Sequence, residues 1–426
     1  MRLRSLLASG VLIAGLAAGQ AMAAETVTFW QFFTGDTDVN AWKAAITKFE
    51  AANPDIKVNM ELVPWSEQQQ RFVTALATGG LPDVSMLGNN VVAQFQATGS
   101  LAPLDEYVAA YDKANGTKVE DDIWPGDKGY YILDGHLWAS PIAVETRALY
   151  YRKDLFKAAG LDPEKPPQTW EDLATAAAAL SKAGGGKTYG IGLPMGLTYN
   201  TVQNFMSTWL GYGARMIGDD GKCGFNTPEF KQALTVYTNV YKDGGTHPDA
   251  PTMDGDTFRR GFIDGGYAMA IFDASLYKQL EVEKAPFIKD VGIAKIPAGA
   301  KNRSGFLGGW PLVLWSASEH KDAAAKWILF ATHGDVLKDM AVASGYIPGN
   351  ITLAKGAPWD AFPYPLFVEQ LQDAKPYQYP AQAIAQMGQL EVDTVQKAVQ
   401  AVALGKQDVD QATAQLCSTI NDVLSR

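Results

Sequence analysis

From residue 27 onward the chain alternates strand and helix patterns, and that order limits the folds open to it more than any other feature does. Residues 27–30 read as a strand. Trp42, Ala45, Ile46 and Phe49 then recur at helical spacing, and Asn53-Pro54 ends that helix. Ile56, Val58, Met60 and Leu62 alternate at period two, as in a half-buried strand. Ser66 and Gln69 form a capping box for a helix that stops at Gly79-Gly80. Residues 83–87 read as a short buried strand, and 91–97 as a helix closed by Gly99. Repeated β-α order predicts a mostly parallel sheet covered by helices.

The pattern restarts after Pro141. Residues 148–151 read as a strand and 154–159 as a helix with Gly160 past its end. Thr169 caps a longer helix that Gly184-Gly185-Gly186 breaks, and 189–193 is a strand. Thr227-Pro228 opens another helix, with proline at the favoured first position. Strands follow at 268–272, 292–296 and 312–315, then a helix at 322–331. From about Pro365 the chain reads as almost all helical, with Asp408 and Gln411 capping the last helix. No Ser/Gly-rich or Pro-rich spacer separates the two runs. The expectation is therefore two α/β lobes joined by short strand crossings. A length of 426 residues, 47% hydrophobic, is ample for two large cores.

The first 23 residues read as a secretory signal peptide. Arg2 and Arg4 give a basic start, residues 6–18 are apolar, and Ala21-Met22-Ala23 supplies small residues at a cleavage site. The apolar stretch is too short to span a bilayer comfortably. No cysteine lies near the cleavage site, so the expectation is a free periplasmic protein without a lipid anchor. Removing Arg2 and Arg4 moves the net charge of -10 to about -12. So acidic a chain has no electrostatic footprint for nucleic acid or anionic lipid. The two cysteines, Cys223 and Cys417, are either a disulfide or two separate buried thiols, and the sequence leaves both open.

Several short matches to chemical motifs fail. Gly186-Lys187-Thr188 resembles the end of a phosphate loop, but Ser181 stands where the first glycine belongs. Asp36, Asp38 and Asn40 resemble a calcium loop, but Ala41 and Thr47 occupy its sixth and twelfth positions. Gly211 and Gly213 lack a third glycine, because Met216 stands there. His136, His247, His320 and His333 have no second ligand at metal spacing. The expectation is no catalytic residue, no metal and no cofactor. Paired carboxylates keep one enzyme reading open, a secreted carbohydrate-active enzyme.

Aromatic and polar residues coincide at strand ends, where open α/β sheets place ligands. Trp30-Gln31-Phe32-Phe33 ends the first strand and Leu87-Gly88-Asn89-Asn90 another. Phe272-Asp273-Ala274-Ser275 ends a third, and Gly308-Gly309-Trp310 opens a fourth. A pyranose has apolar C–H faces and a rim of hydroxyls. Aromatic faces suit the first, and carboxylates and amides bridge the second.

Residues 139–160, Ala-Ser-Pro-Ile-Ala-Val-Glu-Thr-Arg-Ala-Leu-Tyr-Tyr-Arg-Lys-Asp-Leu-Phe-Lys-Ala-Ala-Gly, resemble the signature of the family 1 extracellular solute-binding proteins, the maltose-binding-protein class. Matching segments follow in order: 49–58, 81–84, 167–173, 266–271 and 308–327. Arg152 departs from the family, which usually has Asn or Asp there. The resemblance implies two Rossmann-like lobes of the type II periplasmic binding-protein kind, closing on a ligand. An N-lobe would comprise 24–140 plus 300–348, and a C-lobe 141–299 plus 349–426. It implies a monomeric sugar-binding component of an ABC importer, docking on membrane permease subunits. The ligand would be a disaccharide or short oligosaccharide (maltose-, trehalose- or α-glucoside-like). Some relatives bind glycerol-3-phosphate or its diesters, which is the alternative ligand class. By position, Glu145 matches a sugar-contacting acid, and Asp36 a first-loop acid. Asn89 follows the Pro82-Asp83-Val84 strand as a polar contact does. Asp273 and Ser275 lie where relatives place a stacking tryptophan, for which Tyr277 substitutes. Gly309 and Trp310 match a cleft segment, and Gln31 ends the first strand. Tyr199, Trp209, Tyr346 and Tyr377 lie in regions that contribute cleft aromatics.

Overall fold

The computed structural model describes residues 24–374 and 394–425. Its strands in chain order are β1 (Glu25–Gln31), β2 (Ile56–Leu62), β3 (Val84–Met86), β4 (Leu101–Ala102), β5 (Ile132–Leu133), β6 (His136–Leu137) and β7 (Ala139–Thr146). They continue with β8 (Ala148–Arg152), β9 (Tyr189–Gly192), β10 (Tyr267–Phe272), β11 (Val291–Lys295), β12 (Leu307–Trp315) and β13 (Ile347–Pro348). Seven of them form a sheet in the order β13-β7-β12-β3-β1-β2, with β4 also on β12. Four form a second sheet in the order β11-β8-β10-β9, and β5 and β6 make a separate hairpin.

The expected mostly parallel pairing holds for β1 with β2 and β3, and for β9 with β10. It fails for the strands that carry the chain between sheets. β12 runs antiparallel to β3, β4 and β7, and β8 runs antiparallel to β10 and β11. Both sheets are therefore mixed.

The change of sheet falls at Arg147, between β7 and β8, rather than at Pro141. Pro141 sits inside β7 opposite Pro311 of β12, beside a register shift at Trp310/Pro311. Two prolines that cannot donate to the ladder are tolerated where pairing is already irregular. For the same reason β12 begins at Leu307, before its sequence-expected start at 312: Gly308-Gly309-Trp310-Pro311 does not read as a strand, yet every residue of β12 is buried.

Each sheet has its own core. Behind the larger one, Phe29, Trp42, Phe49 and Trp327 pack ring on ring at centroid distances of 4.9 to 6.1 Å. Beside the smaller one, Phe205, Trp209, Phe225 and Phe230 cluster, with Phe225 stacked on Phe230 at 4.0 Å. The helix Trp170–Gly184 has a full capping box from Thr169 and Asp172, and Val409–Leu424 one from Asp408 and Gln411. The helix Gly255–Ile263, capped by Asp254, was not legible as an element. Cys223 and Cys417 form a disulfide with Cα atoms 5.2 Å apart, tying the last helix to the second lobe. Among the described residues no helix is long and apolar enough to cross a membrane.

Candidate functional site

The crossing from β7 to β8 brings charge into the interior. Successive strand residues face opposite ways, so Glu145 and Arg147, two apart, emerge on one side. Both are buried, and an Arg147 guanidinium nitrogen lies 2.6 Å from a Glu145 carboxylate oxygen. The same guanidinium reaches Asp273 of the second sheet at 3.7 Å and donates to Gln203 Oε1 at 3.1 Å. Arg147 thus joins an acid from each sheet. Burial pushes Glu145 up to about 7, against the pull of Arg147 and with the repulsion of Asp273.

Asp273 follows β10 and is buried at the start of the helix Ser275–Val282. One of its oxygens accepts the Ser275 backbone N–H at 2.9 Å and also the Ser275 hydroxyl. The other lies 3.4 Å from Arg259, which also donates to Ser275 Oγ at 2.8 Å and Gln279 Oε1 at 2.7 Å. Burial raises the Asp273 carboxyl, but Arg259 and Arg147 outweigh it and hold the group below the ordinary range. Near neutrality Asp273 is therefore ionised while Glu145 is close to its midpoint, although they share a cation.

An aromatic wall faces these acids. Phe33, Trp310 and Tyr346 meet pairwise at 4.9, 5.5 and 5.0 Å. Tyr346 donates its hydroxyl to Asp38 at 3.1 Å. Burial raises Asp38, with the hydrogen bonds from Ser344 and Tyr346 opposing. Between wall and acids lies a tight cavity with about 10 Å³ of free space, room for one water, lined by Val144, Glu145, Thr146, Asp273, Ala274, Trp310, Tyr346, Ile347 and Phe367. It sits at the seam of the two sheets, beyond the ends of β7 and β10.

Of the residues singled out in the sequence, Glu145, Asp273, Trp310 and Tyr346 line this cavity, and Ser275 holds Asp273 in place. Gln31 is fully buried and binds the Phe33 backbone at both ends of its amide, so it shapes the loop that presents Phe33. Gly309 serves close packing: a Cβ there would sit 3.0 Å from the Ala143 carbonyl. Asn89 lies beside Gly309 and donates to Asp127 at 3.2 Å.

Asp36 is exposed; the acid that turns inward is Asp38, one helical turn before the buried Trp42. Trp209 is locked in the core between Phe205 and Phe225, because the inward face of its helix is apolar. Tyr277 points its ring at Phe362 and lines no part of the cavity. Tyr199 starts the helix Tyr199–Tyr212, partly buried against the core. Tyr377 lies outside the described residues. Arg147, Arg259 and Asp38 were not read as site residues from the sequence, and Phe33 only as part of the aromatic end of the first strand. The i, i+2 relation to Glu145 would have found Arg147. Among the described residues no group of three or more His, Cys, Asp or Glu is placed to hold a metal ion.

A family model described as bacterial extracellular solute-binding protein matches residues 35–333. A putative binding protein of Brucella abortus is 33% identical over 308 residues, 72% of each chain. The sn-glycerol-3-phosphate-binding periplasmic protein of Escherichia coli is 28% identical over 346 residues, 78% of this chain and 75% of its own. Among solved structures, an ABC transporter solute-binding protein from Thermotoga lettingae, bound with α-D-tagatose, superposes with a TM-score of 0.83. It is 26% identical and covers 94% of this chain and all of its own.

Proposed function

The chain belongs to the bacterial extracellular solute-binding proteins, and from that premise we propose that it is the periplasmic sugar-binding component of an ABC importer. It reaches the periplasm through its N-terminal signal peptide and captures its ligand by closure of the two lobes.

One observation carries the reading. At the seam of the sheets, Glu145 and Asp273 lie across from the wall of Phe33, Trp310 and Tyr346, and Asp38 is bonded to Tyr346 on the wall's side. Acids from both sheets bridge hydroxyls, while the ring faces meet C–H surfaces. A ligand that touches both lobes favours the closed state by the contacts made only there. The free space of about 10 Å³ is far below the roughly 300–1,000 Å³ usual for small-molecule sites. In this conformation it holds no more than a water, so a sugar of any size needs the lobes further apart. The lobes follow the sheets: 24–146 with 307–348 around the larger, and 148–295 with the C-terminal helices around the smaller. The closed monomer docks on the permease. The relatives are binding proteins rather than enzymes, so the acids serve recognition.

A phosphorylated polyol is the second reading. The Escherichia coli relative binds sn-glycerol-3-phosphate, and Arg147 and Arg259 bring two cations to the seam. Against it, both cations are already paired with Asp273. The same carboxylate also caps the helix N-terminus that would otherwise receive an anion.

A thermal-shift screen separates the two. The panel is maltose, trehalose, D-tagatose, D-mannitol and sn-glycerol-3-phosphate. A ligand of the folded state adds about 2.7 kcal/mol at a hundredfold excess over its dissociation constant. Stabilisation by neutral sugars or polyols alone supports the first reading. A shift with the phosphate alone replaces it with the second.

A further inference from the structure

Asp127 is fully buried, yet the cleft mechanism has no direct use for it. It lies on the short helix Pro125–Tyr131 with Tyr131 one turn later, so the two side chains share a face. One carboxyl oxygen, Oδ1, accepts a hydrogen bond from Asn89 Nδ2 at 3.2 Å. The other, Oδ2, and the Tyr131 hydroxyl are buried and have no hydrogen-bond partner among the described residues. Burial pushes the carboxyl up to about 8, with the Asn89 bond opposing. A fold gains nothing from so costly a group unless its one bond matters, because an apolar residue of similar size would carry no desolvation cost.

That one bond leads to the cleft. Asn89 follows β3 at the same end of the larger sheet as Glu145 and Trp310. The β12 backbone presses on the pair from above. A Cβ at Gly309 would sit 2.8 Å from Tyr131 Oη and 3.4 Å from Asn89 Nδ2, so only a bare backbone fits. A Cβ on the next residue back, Gly308, would lie 3.4 Å from the Glu145 carboxylate. The Asn89 amide is thus held between Asp127 and the β12 backbone; Gly308 and Gly309 face opposite ways, so Asn89 and Glu145 flank the two faces of β12 at the same strand end.

We propose that Asp127 is a positioning residue for the ligand site: it fixes the Asn89 side chain by accepting from Nδ2, which leaves the amide oxygen to receive a ligand hydroxyl. The inference rests on the sugar-site reading above. It adds a hydroxyl contact on the larger lobe, made by a neutral acceptor, beside the charged acceptors Glu145 and Asp273. Such a contact recognises a donor group and gives nothing to an anion.

The test is a double-mutant cycle read as affinity by calorimetry, with maltose and D-mannitol as probes. Asn89→Ala is expected to weaken binding at least fivefold. Asp127→Leu should do the same in the natural background and change affinity less than twofold when Asn89 is already alanine. Asp127→Asn keeps an acceptor for Nδ2 and should bind within twofold of the natural protein, which separates positioning from loss of fold. Equal weakening by Asp127→Leu in both backgrounds, or none in either, overturns the inference. No effect of Asn89→Ala overturns the placement of Asn89 at the ligand. Should neither probe bind the natural protein, the sugar class fails and the positioning is judged without ligand. The Asn89 side-chain amide signals, assigned by their loss in Asn89→Ala, should exchange with solvent at least tenfold faster in Asp127→Leu. Unchanged exchange refutes the inference.

Discussion

Replacing Glu145 by glutamine should change how stability depends on pH, and the structure sets the size of the effect. The carboxyl ordinarily titrates at 4.5, and burial raises it to about 7 in the folded protein. The folded state therefore holds the Glu145 proton more tightly than the unfolded chain does. Stability from this group is fully present below pH 4.5 and is lost as pH rises through 7. A rise of about 2.5 units at 1.36 kcal/mol each corresponds to about 3 kcal/mol, with the opposing pull of Arg147 already included. Glutamine has the same shape and does not titrate. Arg147 keeps Gln203 and Asp273 as partners in the variant. Urea midpoints of both proteins at pH 5, 6, 7 and 8 provide the assay. The midpoint of Glu145→Gln relative to the natural protein should climb between pH 5 and 7 and level off above. Parallel midpoints across the whole range would refute the assignment of a raised, proton-holding Glu145, whatever the absolute stability of the variant.

Glu145→Ala should weaken sugar affinity more than tenfold while the protein stays folded, checked by calorimetry and circular dichroism. Gly345 ends a helix of the larger lobe at φ +78°, and a Cβ there would come within 2.3 Å of Lys278 Cβ on the smaller lobe. Gly345→Ala should therefore hold the lobes apart and weaken ligand binding. Small-angle scattering would show a ligand-induced contraction smaller than that of the natural protein; an equal contraction counts against the contact. Opening the Cys223–Cys417 bridge should cost up to about 5 kcal/mol by the chain-entropy model. Reduction that left the melting temperature unmoved would contradict it.

Much of the fold was legible because local signals agreed with it. Thr169 with Asp172, and Asp408 with Gln411, cap helices where their spacing says they should. β2 alternates buried and exposed residues at its start, as its sequence does. The strands that cross between sheets were harder. β7 and β12 are buried on both faces, so they show no period-two pattern, and glycines and prolines interrupt β12. The site divided along a similar line. Glu145, Asp273 and Trp310 stand in recognisable segments at strand ends. Arg259 belongs to a helix that was not read, and its approach to Asp273 depends on how that helix packs on β10. Asp36 and Asp38 could not be told apart, since a helix start gives no face until its packing is known. Trp209 shows the opposite limit: its position on the chain suits the cleft, but its helix is buried on nearly every side.

The position of β12 also has a consequence for how the chain is made. It lies third from one edge of the larger sheet, between β7 and β3, yet its residues are among the last third to be synthesised. Until Leu307–Trp315 has emerged, β3 lacks one neighbour, and β7 lacks both β12 and β13. A nascent chain shorter than this cannot close its first sheet however long it waits. Non-local pairing of this kind slows folding. The late strand therefore keeps the larger lobe incomplete until about three-quarters of the 426 residues have been made.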